Sequence, residues 1–407
     1  MGYRIDPGQP TDVELRRLLV EQLGRAALML RSKDGPDAEA VHDVRKRLKK
    51  SRSVLRLGRA DLGASVVRHA NAELRRVGAD LAQQRDADSL VEAVDGLSPS
   101  PGADVGCESA DPPTKATAVP RVHAQAGPLA KTTGVSQVQA GPRAKATGVP
   151  QVRVPGSAAG LPPVEAPGPE AAQALAVVRS ALVERAEGVR DRGGLARTTV
   201  VGAARTLEQT VTWLRLVPAQ ATGWDALGPG FARQYQHGRK AFHALPEEPS
   251  VDELHEWRKR VKDLWYHQRL LRRLWTDAQR PIVAAADELA AILGDDHDLA
   301  LLLAHLSPPV GGDAAHGSPV VDRSAGQQPA GQQPGGQEAA DLRATVHPVS
   351  HLDLDPDVCR LVADLVDSRR QQLQARARKL GTLLYADDPA AWRARHGAWW
   401  QAASSAC

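Results

Sequence analysis

The chain is poor in the residues that most often carry a chemistry or a covalent framework. Of its 407 residues three are cysteines, Cys107, Cys359 and Cys407, far apart and in no CxxC or zinc-type spacing. An odd, scattered set argues against a disulfide framework and fits a reducing compartment, so a cytoplasmic protein is expected. Aromatic residues make up only 3% and are unevenly placed: apart from Tyr3, every Trp, Tyr and Phe lies at or after Trp213. No apolar run approaches the roughly 18 residues of a membrane span. The early acids Asp6, Asp12 and Glu14 leave no apolar leader segment near the N-terminus. The chain contains no Walker loop, GxSxG or HExxH, which removes the commonest signatures of nucleotide, acyl-transfer and zinc-protease chemistry.

What is present is a basic motif that occurs twice. His42-Asp43-Val44-Arg45-Lys46-Arg47-Leu48-Lys49 returns as His255-Glu256-Trp257-Arg258-Lys259-Arg260-Val261-Lys262. The net charge of +4 hides strong local bias, since residues 41–60 carry eight Lys and Arg against the single acid Asp43. Local concentration of one sign sets the field that a ligand meets.

The surrounding text is helical in period. Leu15, Leu18, Leu19, Leu23, Ala26, Ala27 and Leu30 recur at spacings of three and four, the pattern of one buried stripe. Comparable stripes predict helices over 41–57, 66–81, 90–94, 170–192, 196–216, 231–245, 251–275, 282–293, 298–306 and 357–384. Ser250 with Glu253 forms a capping box ahead of the second motif, and the first motif helix starts near Pro36-Asp37. No period-2 stretch competes, so the expected fold class is all-α.

Two segments break the pattern. Residues 98–169 are rich in Pro, Gly, Ala, Thr and Val and contain a 14-residue tandem repeat, 125–138 followed at once by 139–152, with proline in each copy. Proline stops helix propagation, and too few large apolar residues remain to offset the entropy of ordering. Residues 307–352 have the same character, and both are expected to be disordered insertions.

The repeat extends beyond the motif. Gly24-Arg25-Ala26-Ala27-Leu28 parallels Gly238-Arg239-Lys240-Ala241-Phe242, with Arg25 17 positions before His42 and Arg239 16 before His255. Downstream, Arg85-Asp86 parallels His297-Asp298, with the aspartate 44 and 43 positions after the motif histidine. Three landmarks in order at near-equal spacing predict two pseudo-symmetric helical bundles made by duplication.

Two copies of His-acid-apolar-Arg-Lys-Arg-apolar-Lys, each followed by an (Arg/His)-Asp element, resemble the CHAD domain, the conserved histidine α-helical domain. Leu254-His-Glu-Trp-Arg-Lys-Arg-Val-Lys-Asp-Leu-Trp-Tyr266 and Leu380-Gly-Thr-Leu-Leu-Tyr385, followed by Pro389, strengthen the likeness. The resemblance covers about residues 10–400, the first half at about 10–97 and 170–192, the second at about 228–306 and 356–400. It implies a pair of helical bundles that binds inorganic polyphosphate through a shared basic surface. Many relatives carry an N-terminal CYTH module that processes triphosphate. The stretch before Pro10 is too short for one, so no catalytic role from such a fusion is expected.

The residues themselves suit a polyanion. Projected at about 100° per residue, His42, Arg45, Lys46, Lys49, Arg52 and Arg56 fall within about one 120° arc, beside a packing stripe of Val41, Val44, Leu48 and Leu55. His255, Arg258, Lys259, Lys262 and Arg269 take the same arc of the second helix, with Leu254, Trp257, Val261 and Leu264 on its core side. Trp265 replaces the Arg52 position. A linear phosphate chain presents charge at close intervals, and a row of fixed cations answers it, arginine through paired contacts and lysine as point charge. Arg25 and Arg239 are added candidates. The motif histidines and the Arg85-Asp86 and His297-Asp298 elements are read first as structural, the latter as ion pairs or helix caps.

The expectation is therefore a polyphosphate-binding protein associated with granules of its ligand, not an enzyme, with no cofactor, no catalytic residue, no metal site and no membrane partner. The alternatives are a general polyanion or nucleic-acid binder and a metal-dependent phosphate-processing enzyme, for which Asp295, Asp296 and Asp298 cluster but the first copy offers only Asp86 and Asp88.

Overall fold

The computed structural model describes residues 2–32, 35–81, 86–98, 166–191, 195–306 and 351–406, with the side chains of 86–88 and 189–191 left aside. The tandem repeat, nearly all of both proposed insertions, and Arg85 lie outside these residues. Among the described residues there are twelve helices and no strand, and the chain is all-α.

The first half runs α1 (Thr11–Leu30), α2 (Ala38–Leu57), α3 (Arg59–Leu62), α4 (Ala64–Asp80), α5 (Asp86–Asp95), α6 (Pro169–Asp191) and α7 (Arg197–Leu216). The second runs α8 (Gly223–His243), α9 (Val251–Leu271), α10 (Thr276–Leu306), α11 (Pro356–Leu384) and α12 (Pro389–Ser405). Local chemistry sets several of these limits. The Asp37 side chain accepts from the Ala40 N–H and starts α2, and both arms of the Ser250–Glu253 capping box are made at the head of α9. Gly63, at φ 85°, separates α3 from α4 in a conformation that disfavours any side chain.

Some boundaries differ from the periodic reading. The break expected between 293 and 298 is absent: α10 runs through Gly294, Asp295, Asp296 and His297 without interruption. Its packing overrides the polar local sequence, since Leu289, Ile292, Leu293, Asp296 and Leu299 are all buried. Residues 389–405, not assigned from sequence, form α12, with Asp388 capping and Pro389 in the first turn.

The two halves show corresponding neighbours. α1 packs on α2 and α7, as α8 packs on α9 and α12; α2 packs on α4, and α9 on α10; α5 lies on α6, and α10 on α11. Between the halves, α1 meets α8, α2 meets α9, α5 meets α10 and α6 meets α11. These four contacts join elements that hold equivalent places in the sequence repeat, whereas α8 also packs on α2 and α3, elements of other places. One apolar core runs through both halves, from Leu15 and Leu55 to Leu293 and Val366.

The aromatic residues gather where the sequence concentrates them. Trp392 stacks on Tyr235 at 4.3 Å and on Phe231 at 5.8 Å, and Tyr235 donates to the Leu384 carbonyl at 3.1 Å. α8 approaches the end of α2 so closely that a Cβ on Gly230 would collide with the carbonyls of Arg56 and Leu57. Glycine there lets α8 lie directly against the last turn of the first motif helix.

Candidate functional site

The motif histidine-to-lysine rows lie on α2 and α9, which pack against each other. On α2 the expected stripe is buried, with Val41, Val44, Leu48 and Leu55 each no more than 4% exposed. His42 and Arg45 are half-buried beside it, and Lys46 and Lys49 are exposed. On α9, Leu254, Trp257, Val261 and Leu264 are buried, and His255, Arg258, Lys259, Lys262 and Arg269 are half-buried. Anchoring one face in the core fixes the rotation of each helix and so presents the adjoining cations together.

Two of the motif lysines have their carboxylate partners on the same helix. Lys46 sits 3.7 Å from Asp43, and Lys259 sits 3.2 Å from Glu256, which also takes Arg260. These are neighbours on one helix, the class of partly exposed pair worth only about 0.3–0.5 kcal/mol.

The rows are not equivalent at their far ends. Arg56 crosses to α9 and forms an ion pair with the buried Asp263. Arg52, behind it, has its guanidinium pulled down to about 10, chiefly by burial and then by Arg56 and Arg75. Both cations are thus turned toward the α2–α9 interface. At the corresponding positions of α9, Trp265 carries Lys262 at 5.2 Å and Arg269 at 4.7 Å from its ring centre. Burial, then the charge of Arg258, pulls the Lys262 ammonium down, with Asp287 and Asp295 opposing.

His255 joins the two rows. Its ring lies 4.6 Å from that of His297 on α10, and its Nδ1 is buried with no hydrogen-bond partner. Burial pushes the imidazole down to about 4, helped by Lys259, Arg258 and, from α2, Lys49, against Glu256. Hence His255 is neutral at pH 7. His297 and Asp298 sit inside α10, away from both of its ends. Across the same contact, α10 lies close enough that a Cβ on Gly294 would stand 3.2 Å from Arg258 Nη2.

Arg25 and Arg239 have separate settings. Arg25 is exposed on α1 with Glu21 3.3 Å away. Arg239 Nε donates to the Tyr385 carbonyl at 3.2 Å, and the residue lines a cleft of about 660 Å3 between α8 and α12 with Lys240 and His243. The structure gives neither a contact with the two rows.

Sequence reasoning passed over Lys50, Asp263 and Tyr3. Lys50 lies 5.5 Å above the Tyr3 ring, whose hydroxyl donates to the Lys50 carbonyl at 3.3 Å. Among the described residues, no three His, Cys, Asp or Glu side chains group as ion ligands, and no helix is long and apolar enough to cross a membrane.

His255, His267 and His396 make stability depend on pH in a definite direction. Burial lowers all three, to about 4, about 4 and about 3. The unfolded chain takes protons near the ordinary histidine value of about 6.5, before the folded one does. The unfolded state then binds more protons, so stability is lost as pH falls from about 6.5 toward 4. Tm measured from pH 7.5 to 4.5 should fall through that window, and His255→Gln should flatten the slope. A Tm constant to pH 5 would contradict this.

The chain is thus an all-helical molecule in which the two motif helices, each with a cationic row beside a buried stripe, pack against each other. The chain belongs to the CHAD domain family, whose model matches residues 17–307. The match takes in both motif helices and ends before α11 and α12. No curated protein and no solved structure matches the chain.

Proposed function

We propose that the α2–α9 surface binds inorganic polyphosphate, and that the halves arose by duplication of one cation-bearing bundle. The observation that carries the reading is the meeting of the two motif helices: Lys49 reaches the surroundings of His255, and Arg45, Lys46, Arg258, Lys259 and Lys262 flank that contact. Membership in a family linked to phosphate ligands supports the same class. A chain of phosphates needs a run of cations more than an enclosing pocket, and the rows supply one. Association should be steered by charge and fall steeply with salt. Binding of long chains would also carry the protein to polyphosphate granules.

Nucleic acid is the competing ligand, and one observation weighs against it. Base stacking on a single strand uses open aromatic faces. Tyr266 is buried, and the ring of Trp265 already carries two cations. We place no bond-breaking step at the surface.

The test is calorimetric titration at moderate salt with long-chain polyphosphate, duplex DNA and single-stranded RNA in parallel. Polyphosphate should bind at least about tenfold more tightly than either nucleic acid, a difference of about 1.4 kcal/mol. Equal affinities would make the protein a general polyanion binder, and absence of heat with polyphosphate would sink the proposal. Phosphate release that is lost on adding chelator would instead point to an enzyme.

A further inference from the structure

The two motif helices correspond at a constant offset of 213 residues, His42 with His255, which places Lys50 opposite Asp263 and Arg56 opposite Arg269. One cross-contact of the pseudo-twofold pair is therefore Arg56 with Asp263, an ion pair. Its mate is Arg269 with Lys50, in which both groups are cations. Among the described residues neither Lys50 nor Arg269 has a carboxylate within ion-pair distance, although both are half-buried. Architecture alone gives no reason to face two partly desolvated cations at the one place where the related contact is neutralised.

The surroundings hold these cations in position. Lys50 lies over Tyr3, Arg269 lies over Trp265, and Tyr3 meets Tyr266 edge-on at 6.1 Å. The Ile5 N–H donates to the Leu270 carbonyl at 3.0 Å, which ties the segment bearing Tyr3 to the end of α9. Aromatic faces support both cations without cancelling their charge. Burial holds the Lys50 ammonium below its usual range, and the charges of Arg269, Arg47 and Lys46 add to the effect, with Asp43 opposing. The energetic cost of that arrangement is relieved by an anion.

We propose that Lys50 and Arg269 form an anchoring sub-site for a single phosphate group, a chain end or one unit of a chain, on one side of the pseudo-twofold only. Asp263 fills the equivalent place on the other side. This rests on the polyphosphate reading and adds a polarity to it: the ligand is gripped at the Lys50 end and only tracked along the rows.

The probe is tripolyphosphate, followed by calorimetry and by Trp265-region fluorescence, with circular dichroism as the folding check. Lys50→Met, which keeps the aliphatic stem over Tyr3, should weaken binding by about tenfold or more. Lys50→Asp should restore the pairing found at Arg56–Asp263, so it should weaken binding further while raising Tm by about 2 °C. Arg280→Gln, on the exposed start of α10, removes the same charge elsewhere and should change affinity less than about twofold. Lys50→Met and Lys50→Asp variants that bind as the Arg280→Gln protein does would overturn the sub-site, as would a lower Tm for Lys50→Asp. A wild-type protein that binds neither tripolyphosphate nor long chains would sink the functional reading itself. A wild type that binds, with Lys50 variants unaffected, would sink only the anchoring site.

Discussion

Replacing Arg45, Lys49, Arg258 and Lys262 together with glutamate is expected to abolish polyphosphate binding while leaving helical circular dichroism unchanged. Arg45 and Lys49 stand on the α2 arc and Arg258 and Lys262 on the α9 arc, beside stripes that stay buried in the core. Each contact between a charged side chain and a phosphate is worth about 1.5–3 kcal/mol. Four losses, followed by repulsion from four new carboxylates, should lower affinity by more than about a thousandfold. A graded set separates specific contacts from field effects. The four glutamines should lose less than the four glutamates, and the α2 and α9 pairs should each contribute. The measurement is calorimetric titration with long-chain polyphosphate at fixed salt. Binding by the reversed protein within about threefold of wild type would show that the rows are not the site.

What the sequence disclosed and what it hid divide along one physical line. Features set within one helix were legible: the buried stripes of α2 and α9, the Ser250–Glu253 box, and the arc shared by His255, Arg258 and Lys262. Each follows from helical geometry over a few residues. Contacts between helices were not. Nothing local to Arg56 shows that its guanidinium turns from the row to Asp263, 207 positions away. Likewise Trp265 reads as an interruption of the second row, yet it is the platform for Lys262 and Arg269. The uninterrupted course of α10 through Gly294–His297 is another tertiary effect, since glycine and two aspartates argue for a break. One clue was available. Aligning the two motifs one residue past their last shared lysine opposes Lys50 to Asp263, a charge reversal directly after eight positions that keep every charge.

Asp263→Ala should be the most destabilising single change in this interface, lowering stability by about 3 kcal/mol and Tm by about 8 °C. The carboxylate is 6% exposed, pairs with Arg56 and offsets the charge on Arg52, whose largest burden is burial. Removing it leaves two partly desolvated guanidinium groups facing each other between α2 and α9, and the lost solvation is not recovered. Loss of the ion pair as such is the smaller part, because such pairs contribute little beyond the desolvation they offset. The double variant Arg56→Leu with Asp263→Leu should therefore be more stable than Asp263→Ala, although it has lost the same pair. The uncompensated charge also makes a second forecast. With Asp263 gone, Arg56 resembles the Arg269 end, so tripolyphosphate should raise the Tm of Asp263→Ala more than that of the wild type. Denaturant unfolding and thermal melts with and without tripolyphosphate measure both effects. Equal instability of the single and double variants would place the energy in packing, and equal Tm gains from ligand would show that Asp263 does not close an anion site.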